Sequence, residues 1–227
     1  MVDAADATPR PRLLELRIHG PVDPWIGLGF DIQAPNESGS PDSFARTRVG
    51  TTTLVFDDPS SAPAIAGWCF DSPTTTEPID GLSVMAPAGD PTRPIVHPNG
   101  ATSFDHLVVR TPNVQRTQSA LERSGFDLRR VRDAGAADAP IVQSFYRLGE
   151  VILEVVGRPD DDGDGPSSFW GLVANVDDID ALDLPSTAMS TPRNAVQRGR
   201  RIATVRPEAG LGIAFAFMDD RASTEPS

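Results

Sequence analysis

Hydrophobic and polar positions in the central third of the chain follow the order strand, helix, strand, strand, strand. Residues 103–110 are β-branched and alternate in polarity, and Thr111-Pro112-Asn113 then breaks the strand and supplies a helix start. The pattern predicts a helix over 114–124, ended by Gly125. Three further strands follow in the prediction, over 126–132, 141–148 and 151–156.

The last third repeats this outline in a shorter form. Residues 169–176 predict a strand, and the acidic residues at the start of 177–182 predict the first turn of a short helix. A hairpin is predicted from 200–206 and 211–218. Its second strand is almost wholly apolar, which indicates burial on both faces.

The first third has a less complete version of the same pattern. A strand is predicted over 13–18 and a short turn or helix around 23–28, where prolines leave little room for a longer helix. Residues 49–56 and 65–70 alternate like strands.

Linker segments rich in Pro, Gly and Asp separate these three parts of the chain. Both ends of the chain are polar and have too little apolar content to order themselves. The predicted organisation is a disordered N-terminus (1–10), a degenerate βαβββ-like module (11–85), a linker (86–100), a complete βαβββ module (101–158), an acidic linker (159–167), a shortened βαβββ-like module (168–218) and a disordered tail (219–227).

Composition narrows the classes of protein to consider. The formal net charge is -12 and 39% of the residues are hydrophobic, which indicates a globular chain with an acidic surface that repels nucleic acid. No apolar run reaches the ~20 residues of a membrane span, and the start lacks a signal peptide, so we expect a cytoplasmic protein without a membrane partner. The single cysteine, Cys69, lies in an apolar run and is interpreted as a small buried hydrophobe.

Several segments of the chain resemble one known protein family. The opening strand Phe104-Asp105-His106-Leu107-Val108-Val109, the helix end at 124–126 and the closing strand 148–156 together look like one glyoxalase-type module. Residues 169–173 and 199–206 are similar to its partner module. The chain therefore resembles glyoxalase-like proteins of the vicinal-oxygen-chelate superfamily (glyoxalase, bleomycin resistance and dioxygenase proteins). This resemblance implies an α+β fold in which tandem βαβββ modules form curved mixed sheets around a cavity, and a homodimer is possible.

The resemblance also implies a site. The family holds one divalent metal ion with a His or Gln on the first strand and a Glu on the last strand of each module. His106 and Glu154 match these metal-ligand positions in the central module, and Glu154 is also the candidate catalytic base. The partner module has Gly171 on its first strand and Ala214 or Phe215 on its last. Predicted pocket residues are Tyr146, Trp170, Ile152 and Phe215.

Two functions that involve a ligand remain open from the sequence, and a third option is a structural interaction partner whose cavity is filled by its own side chains. The first is an enzyme acting on a small oxygenated molecule by metal-assisted lyase, isomerase or dioxygenase chemistry. The alternative is a metal-free protein of the same fold that binds or sequesters a small molecule, with His106 and Glu154 bonded to each other. The basic cluster at 197–201 could hold a carboxylate or phosphate, although a solvated turn is the simpler interpretation.

Overall fold

The computed structural model describes residues 10–35, 44–71, 75–89 and 95–219. The strands form one sheet of four and one sheet of eight, with few helices, so the fold class is α+β as predicted. The predicted disordered ends lie outside the described residues except for Arg10 and Asp219. Asp219 is not part of a tail, because it is the last residue of the final strand and is fully buried.

The four-stranded sheet comes from the first third of the chain. Its elements are β1 (Leu13–His19), α1 (Asp23–Gly27), β2 (Ala45–Val49), β3 (Thr52–Asp58) and β4 (Ala64–Phe70). The strand order is β2-β3-β1-β4, in which β1 is parallel to β3 and antiparallel to β4. The single strand expected over 49–56 is two strands, because Gly50 has a φ of 60° and turns the chain.

The central third forms a complete βαβββ module. Its elements are β5 (Ala101–Arg110), α2 (Val114–Arg123), β6 (Leu128–Ala136), β7 (Ala139–Leu148) and β8 (Val151–Gly157). Helix α2 begins where expected because the side chain of Asn113 accepts a hydrogen bond from the backbone N–H of Arg116 at 2.9 Å. With ten residues α2 is the longer of the two α-helices in the described ranges, and neither of these could reach across a bilayer.

The last third forms a second, shorter set of strands. These are β9 (Ser168–Val176), β10 (Arg193–Asn194), β11 (Arg201–Thr204) and β12 (Ala214–Asp219), and the helix of the module is reduced to one 3-10 turn, Ile179–Ala181. In both modules the first and last strands are parallel neighbours, β5 with β8 and β9 with β12. Antiparallel pairing of β5 with β9 joins the modules into one eight-stranded sheet.

A hydrophobic core lies between the two sheets. Trp25 of α1 packs edge-on against Phe215 of β12, with ring centroids 5.4 Å apart, and Phe30 stacks on Phe217 at 6.1 Å. Leu153 and Val155 of β8 also belong to this core. Because side chains alternate along a strand, the intervening residues of β8 project from the other face of the sheet. That second face carries the cavity described below.

His97 ties the predicted linker to the four-stranded sheet. Its buried ring accepts a hydrogen bond from the backbone N–H of Asp31 at 3.2 Å through Nδ1, and Nε2 lies 2.9 Å from the carbonyl oxygen of Arg48. One nitrogen accepts and the other donates, which requires the neutral ring. Burial lowers the pKa of His97 below its ordinary value of 6.5, although the Arg48 carbonyl and the Asp31 charge oppose the shift.

We therefore expect His97 to make the free energy of unfolding depend on pH. Between pH 6.5 and the lower folded-state pKa the unfolded chain binds more protons than the folded one, so stability falls as the pH drops through this window. Urea unfolding from pH 7.5 to 5 should show a shallower decline in His97→Gln than in the wild type. His19→Gln is the control, and an equal effect of the two substitutions would contradict the assignment.

Candidate functional site

A cavity of about 690 Å³ lies on the face of the eight-stranded sheet that is turned away from the core. Residues of β5 to β8 form one wall, and residues around β10, β11 and β12 form the other. Such a volume suits a small organic molecule. Both modules therefore contribute to one cavity.

His106 and Glu154 meet in this cavity. Strands β5 and β8 are parallel, with His106 opposite Ile152 and Val108 opposite Glu154, which places the two polar side chains on neighbouring strands and on one face. Their closest approach is 3.9 Å, between His106 Nε2 and Glu154 Oε2. Both side chains are largely buried, at 16% and 14% exposure, yet both line the cavity. The structure thus brings together the two residues that the sequence identified.

Asp105 fixes the orientation of the His106 ring. The β5–β9 register shifts between Phe104 and His106, so Asp105 is the extra residue of a β-bulge, and its Oδ2 lies 2.7 Å from His106 Nδ1. Burial alone would raise the pKa of Asp105, but hydrogen bonds from His106 and Arg200 lower it to about 2. An ionised carboxylate can only accept, so Nδ1 carries a proton and donates it to Asp105, and Nε2 is the ring nitrogen that faces Glu154.

On the other side of the pair, Gln143 orients Glu154. The Gln143 amide nitrogen donates to Glu154 Oε1, which leaves Oε2 turned towards His106. Arg132 Nε donates in turn to the Gln143 amide oxygen at 2.8 Å, and the guanidinium of Arg132 lies 5.7 Å from the ring centre of Phe145. The hydrogen bonds therefore define which carboxylate oxygen is available for chemistry.

These side chains form a continuous row across the sheet, which we call the polar row. In spatial order it consists of Arg132, Gln143, Glu154, His106, Asp105, Arg200 and Asn175. Arg200 bonds both Asp105 and Asn175, and so closes the row on the β9 side. Each side chain of the row has at least one polar partner within it, as low-dielectric surroundings favour.

The second module offers no polar counterpart to His106 and Glu154. Val173, Ala216 and Met218 pack there as a small apolar cluster with Ala195 and Ile202. At Gly171 a Cβ atom would lie 2.5 Å from the carbonyl oxygen of Ala214, so no larger side chain fits. The wall from β5 to β8 therefore carries the polar row, and the other wall combines apolar residues (Ala195, Val196, Ile202, Met218) with Arg193 and Gln197.

The four predicted pocket residues lie in different parts of the structure. Ile152 lines the cavity. Tyr146 borders it, but its side chain is 1% exposed and belongs to the core. Alternation along β7 places Tyr146 on the other face of the strand from Gln143 and Phe145. Burial raises the pKa of Tyr146 well above its ordinary value. The tyrosine hydroxyl is thus not available to a ligand.

The other two predicted pocket residues lie elsewhere. Trp170 is 41% exposed and is not among the residues that line the cavity. The guanidinium of Arg110 packs over its ring, 4.1 Å from the ring centre. Phe215 is buried in the core between the sheets. Its position follows from strand alternation, because Ala216 and Met218 of β12 face the cavity side.

The fit of a metal ion can be tested against the donors present. Within the described ranges, no cluster of three or more His, Cys, Asp or Glu side chains could hold a metal. Asp105 is bound on the far side of the imidazole ring, which leaves Nε2 and Oε2 facing each other at 3.9 Å. An imidazole nitrogen and a carboxylate oxygen are both ligand types for divalent ions, so the residues fit such an ion with two protein ligands and other ligands from water or substrate.

Much of the polar row was not identified from the sequence. Asp105, Gln143 and Arg132 come from three strands and Arg200 from the basic cluster at 197–201, which the simpler interpretation placed in a solvated turn. One signal was available: two charged or ionisable residues, Asp105 and His106, stand next to each other in an otherwise apolar strand.

Comparisons with solved structures identify similar folds. A mutant of 4-hydroxymandelate synthase from Streptomyces coelicolor aligns over 95% of this chain and 94% of its own, with 16% identity and a TM-score of 0.61. A fusion of a xylose isomerase-like TIM barrel with 4-hydroxyphenylpyruvate dioxygenase aligns over 100% of this chain and 53% of its own, with 12% identity and a TM-score of 0.58. Methylmalonyl-CoA epimerase from Mycobacterium tuberculosis aligns over 55% of this chain and 91% of its own, with 16% identity and a TM-score of 0.42.

No protein-family model matches the sequence, and the search of curated proteins also gives no match. The two alignments with TM-scores of 0.61 and 0.58 establish the fold, while function has to be argued from the site.

Proposed function

We propose, from the premise that this chain has the fold of the vicinal-oxygen-chelate superfamily, that its cavity binds a small oxygenated molecule and acts on it by metal-assisted chemistry. The observation that carries the proposal is the His106–Glu154 pair, with Nε2 and Oε2 facing each other at 3.9 Å on the cavity wall. The predicted metal ligands and the predicted base are these same two side chains.

His106 Nε2 and Glu154 Oε2 would hold the ion. A divalent ion bound there would polarise a carbonyl or carboxylate oxygen of the ligand. Asp105 keeps the His106 proton on Nδ1, and Gln143 occupies Oε1 of Glu154. These bonds leave Nε2 and Oε2 as the two atoms that face each other, which is the orientation that outer hydrogen bonds provide in metal sites.

Proton transfer is the step that this geometry supports best. A carboxylate oxygen can accept a proton from a carbon next to a polarised carbonyl and return it to another position of the same molecule. Gln143 occupies Oε1, so Oε2 would serve both as metal ligand and as proton acceptor, and Glu154 would have to leave the ion while it holds the proton. The apolar side chains Met218, Ile202 and Ala195 limit water around the reacting carbon. Isomerase or lyase chemistry uses such a transfer.

Metal analysis of the protein purified without chelator tests the proposal. We expect about one divalent ion per chain in the wild type and its loss in His106→Ala and in Glu154→Ala. Asp105→Asn removes only the orienting carboxylate and should weaken metal affinity by roughly 10- to 100-fold. His19→Ala and Glu150→Gln are matched controls away from the cavity and should retain the ion. A wild type without metal, or equal metal in all variants, contradicts the proposal.

A metal-free binding protein is the second candidate, because the second module lines the cavity with the apolar side chains Ala195, Ile202 and Met218. In that case His106 carries a second proton and bonds Glu154 directly after a small side-chain movement. Saturable ligand binding by a wild-type protein that contains no metal would favour this function over the first.

A further inference from the structure

The cavity has a charge opposite to that of the chain. Although the formal net charge is -12, the described residues that line the cavity include a single acid, Glu154. Six lining residues are arginines: Arg10, Arg129, Arg130, Arg132, Arg147 and Arg193. An electropositive cleft in an acidic protein attracts anions to one place and repels them elsewhere.

Most of these arginines lack an acidic partner. Arg10 and Arg129 both pair with Asp127, at 3.3 and 2.8 Å. For Arg130, Arg132, Arg147 and Arg193, no carboxylate among the described residues lies within 4 Å. Arg130 and Arg147 are exposed, and like charges that line one cavity repel each other. A bound anion would reduce this repulsion.

Strand register places two of the arginines at a defined distance from the reactive pair. Arg130 on β6 is opposite Phe145 on β7, which is opposite Glu154 on β8. Arg147 on β7 is opposite Ile152, which is next to His106. At about 4.8 Å per strand, the backbone positions of Arg130 and Arg147 lie roughly 10 Å from those of Glu154 and His106 respectively.

The surfaces next to these arginines are apolar. Phe145 and Ile152 separate Arg130 and Arg147 from Glu154 and His106, and the opposite wall contains Ile202, Met218 and Val196. A ligand that fills the cavity must therefore combine an anionic group with an apolar body.

We propose that Arg130 and Arg147 form a subsite for the oxyanion of an amphipathic organic anion. The carboxylate, phosphate or sulfonate group would accept hydrogen bonds from the two guanidinium groups, which suit planar, bidentate recognition of such oxygens. The inference rests on the proposed function in one respect: the rest of the ligand extends over Phe145 and Ile152 towards His106 and Glu154. The arginines would then determine which molecules enter, and the polar row what happens to them.

Calorimetric titration with three probes that share a phenyl group tests this subsite. The probes are 3-phenylpropionate, 2-phenylethyl phosphate and 3-phenylpropanamide, of which the last has no charge. We expect the wild type to bind at least one of the two anions roughly 10- to 100-fold more tightly than the amide, the range for charged hydrogen bonds. The anion that binds more tightly identifies the carboxylate or phosphate class.

Matched substitutions locate the effect. Arg130→Gln and Arg147→Gln should each raise the Kd of the preferred anion roughly tenfold or more and leave that of the amide unchanged. Arg158→Gln removes the same charge from an exposed arginine that pairs with Asp161 away from the cavity, and should change neither. Absence of anion binding by the wild type, equal Kd values for anion and amide, or equal effects of Arg130→Gln and Arg158→Gln would overturn the inference.

The subsite and the proposed function can fail separately. Arg130→Gln and Arg147→Gln should keep the metal content of the wild type, and His106→Ala should keep the preference for anion over amide. If the wild type binds no metal but prefers the anion, and the arginine variants lose that preference, the subsite is supported and the metal chemistry is rejected. If the wild type contains metal but shows no preference for the anion, the metal chemistry is supported and the subsite is rejected.

Discussion

Asp219→Ala is expected to lower the free energy of unfolding by about 3 kcal/mol, in the range for breaking a buried ion pair. The Asp219 carboxylate is fully buried. It accepts hydrogen bonds from Arg201, with Nη2 at 2.5 Å and Nε at 3.2 Å, and from the backbone N–H of Ile179 at 3.0 Å. The substitution leaves that N–H without its partner and the guanidinium with fewer anions around it. Urea unfolding at pH 7 measures the change.

A matched control separates this local effect from the change in net charge. Asp177→Ala removes the same charge from an exposed aspartate near the Asp219 site and should stay within about 0.5 kcal/mol of the wild type. Arg201→Gln should also destabilise, and the double variant with Asp219→Ala should lose less than the sum of the two, because both substitutions break one interaction. A loss below about 1 kcal/mol for Asp219→Ala would contradict the buried ion pair.

Asp219 also shows why the sequence did not predict the correct end of the last strand. An acidic residue after an apolar strand is typical of a segment that returns to solvent. Its partners, Arg201 and Ile179, stand 18 and 40 residues earlier. Nothing in the local pattern indicates that these three positions meet, so the burial of Asp219 depends on tertiary structure alone.

The central module was predictable because each of its signals is local. The expected helix over 114–124 corresponds to α2 at Val114–Arg123, and the expected strand over 151–156 corresponds to β8 at Val151–Gly157. Glycines at the breaks, such as Gly149 with a φ of 75°, mark turns that other residues adopt poorly. Short strands fare worse: the two-residue strand β10 has no periodicity to detect.

The sequence predicted the two central residues of the candidate site but not the side chains that hold them in place. The resemblance identified His106 and Glu154, but not the bonds that orient them. Those bonds depend on the β-bulge at Asp105 and on the register of β7 with β8, which places Gln143 within reach of Glu154. Bulges and registers follow from strand pairing across the sheet, which a single sequence does not specify.

Phe215→Ala is expected to lower the free energy of unfolding by about 3–5 kcal/mol and to leave ligand binding in the cavity unchanged. Phe215 is 2% exposed, and its ring contacts Trp25, Phe30 and Phe217 at centroid distances of 5.4, 5.9 and 5.3 Å. Truncation therefore opens a void between the four-stranded and eight-stranded sheets. A residue that lined the cavity instead would alter the Kd of a ligand.

Trp170→Ala is the matched comparison, since both aromatic residues were predicted to line the pocket. Trp170 is 41% exposed and its ring packs against the guanidinium of Arg110, so its truncation should cost about 1 kcal/mol. Urea unfolding gives the stabilities, and titration with the anionic phenyl probes, below the unfolding transition, gives the Kd values. A change in Kd for Phe215→Ala without a large loss of stability would place Phe215 in the cavity wall and reject its position in the core. The expected result is the opposite one, because Phe215 belongs to the core between the sheets, whereas the residue of β12 that lines the cavity is Met218, on the other face of the strand.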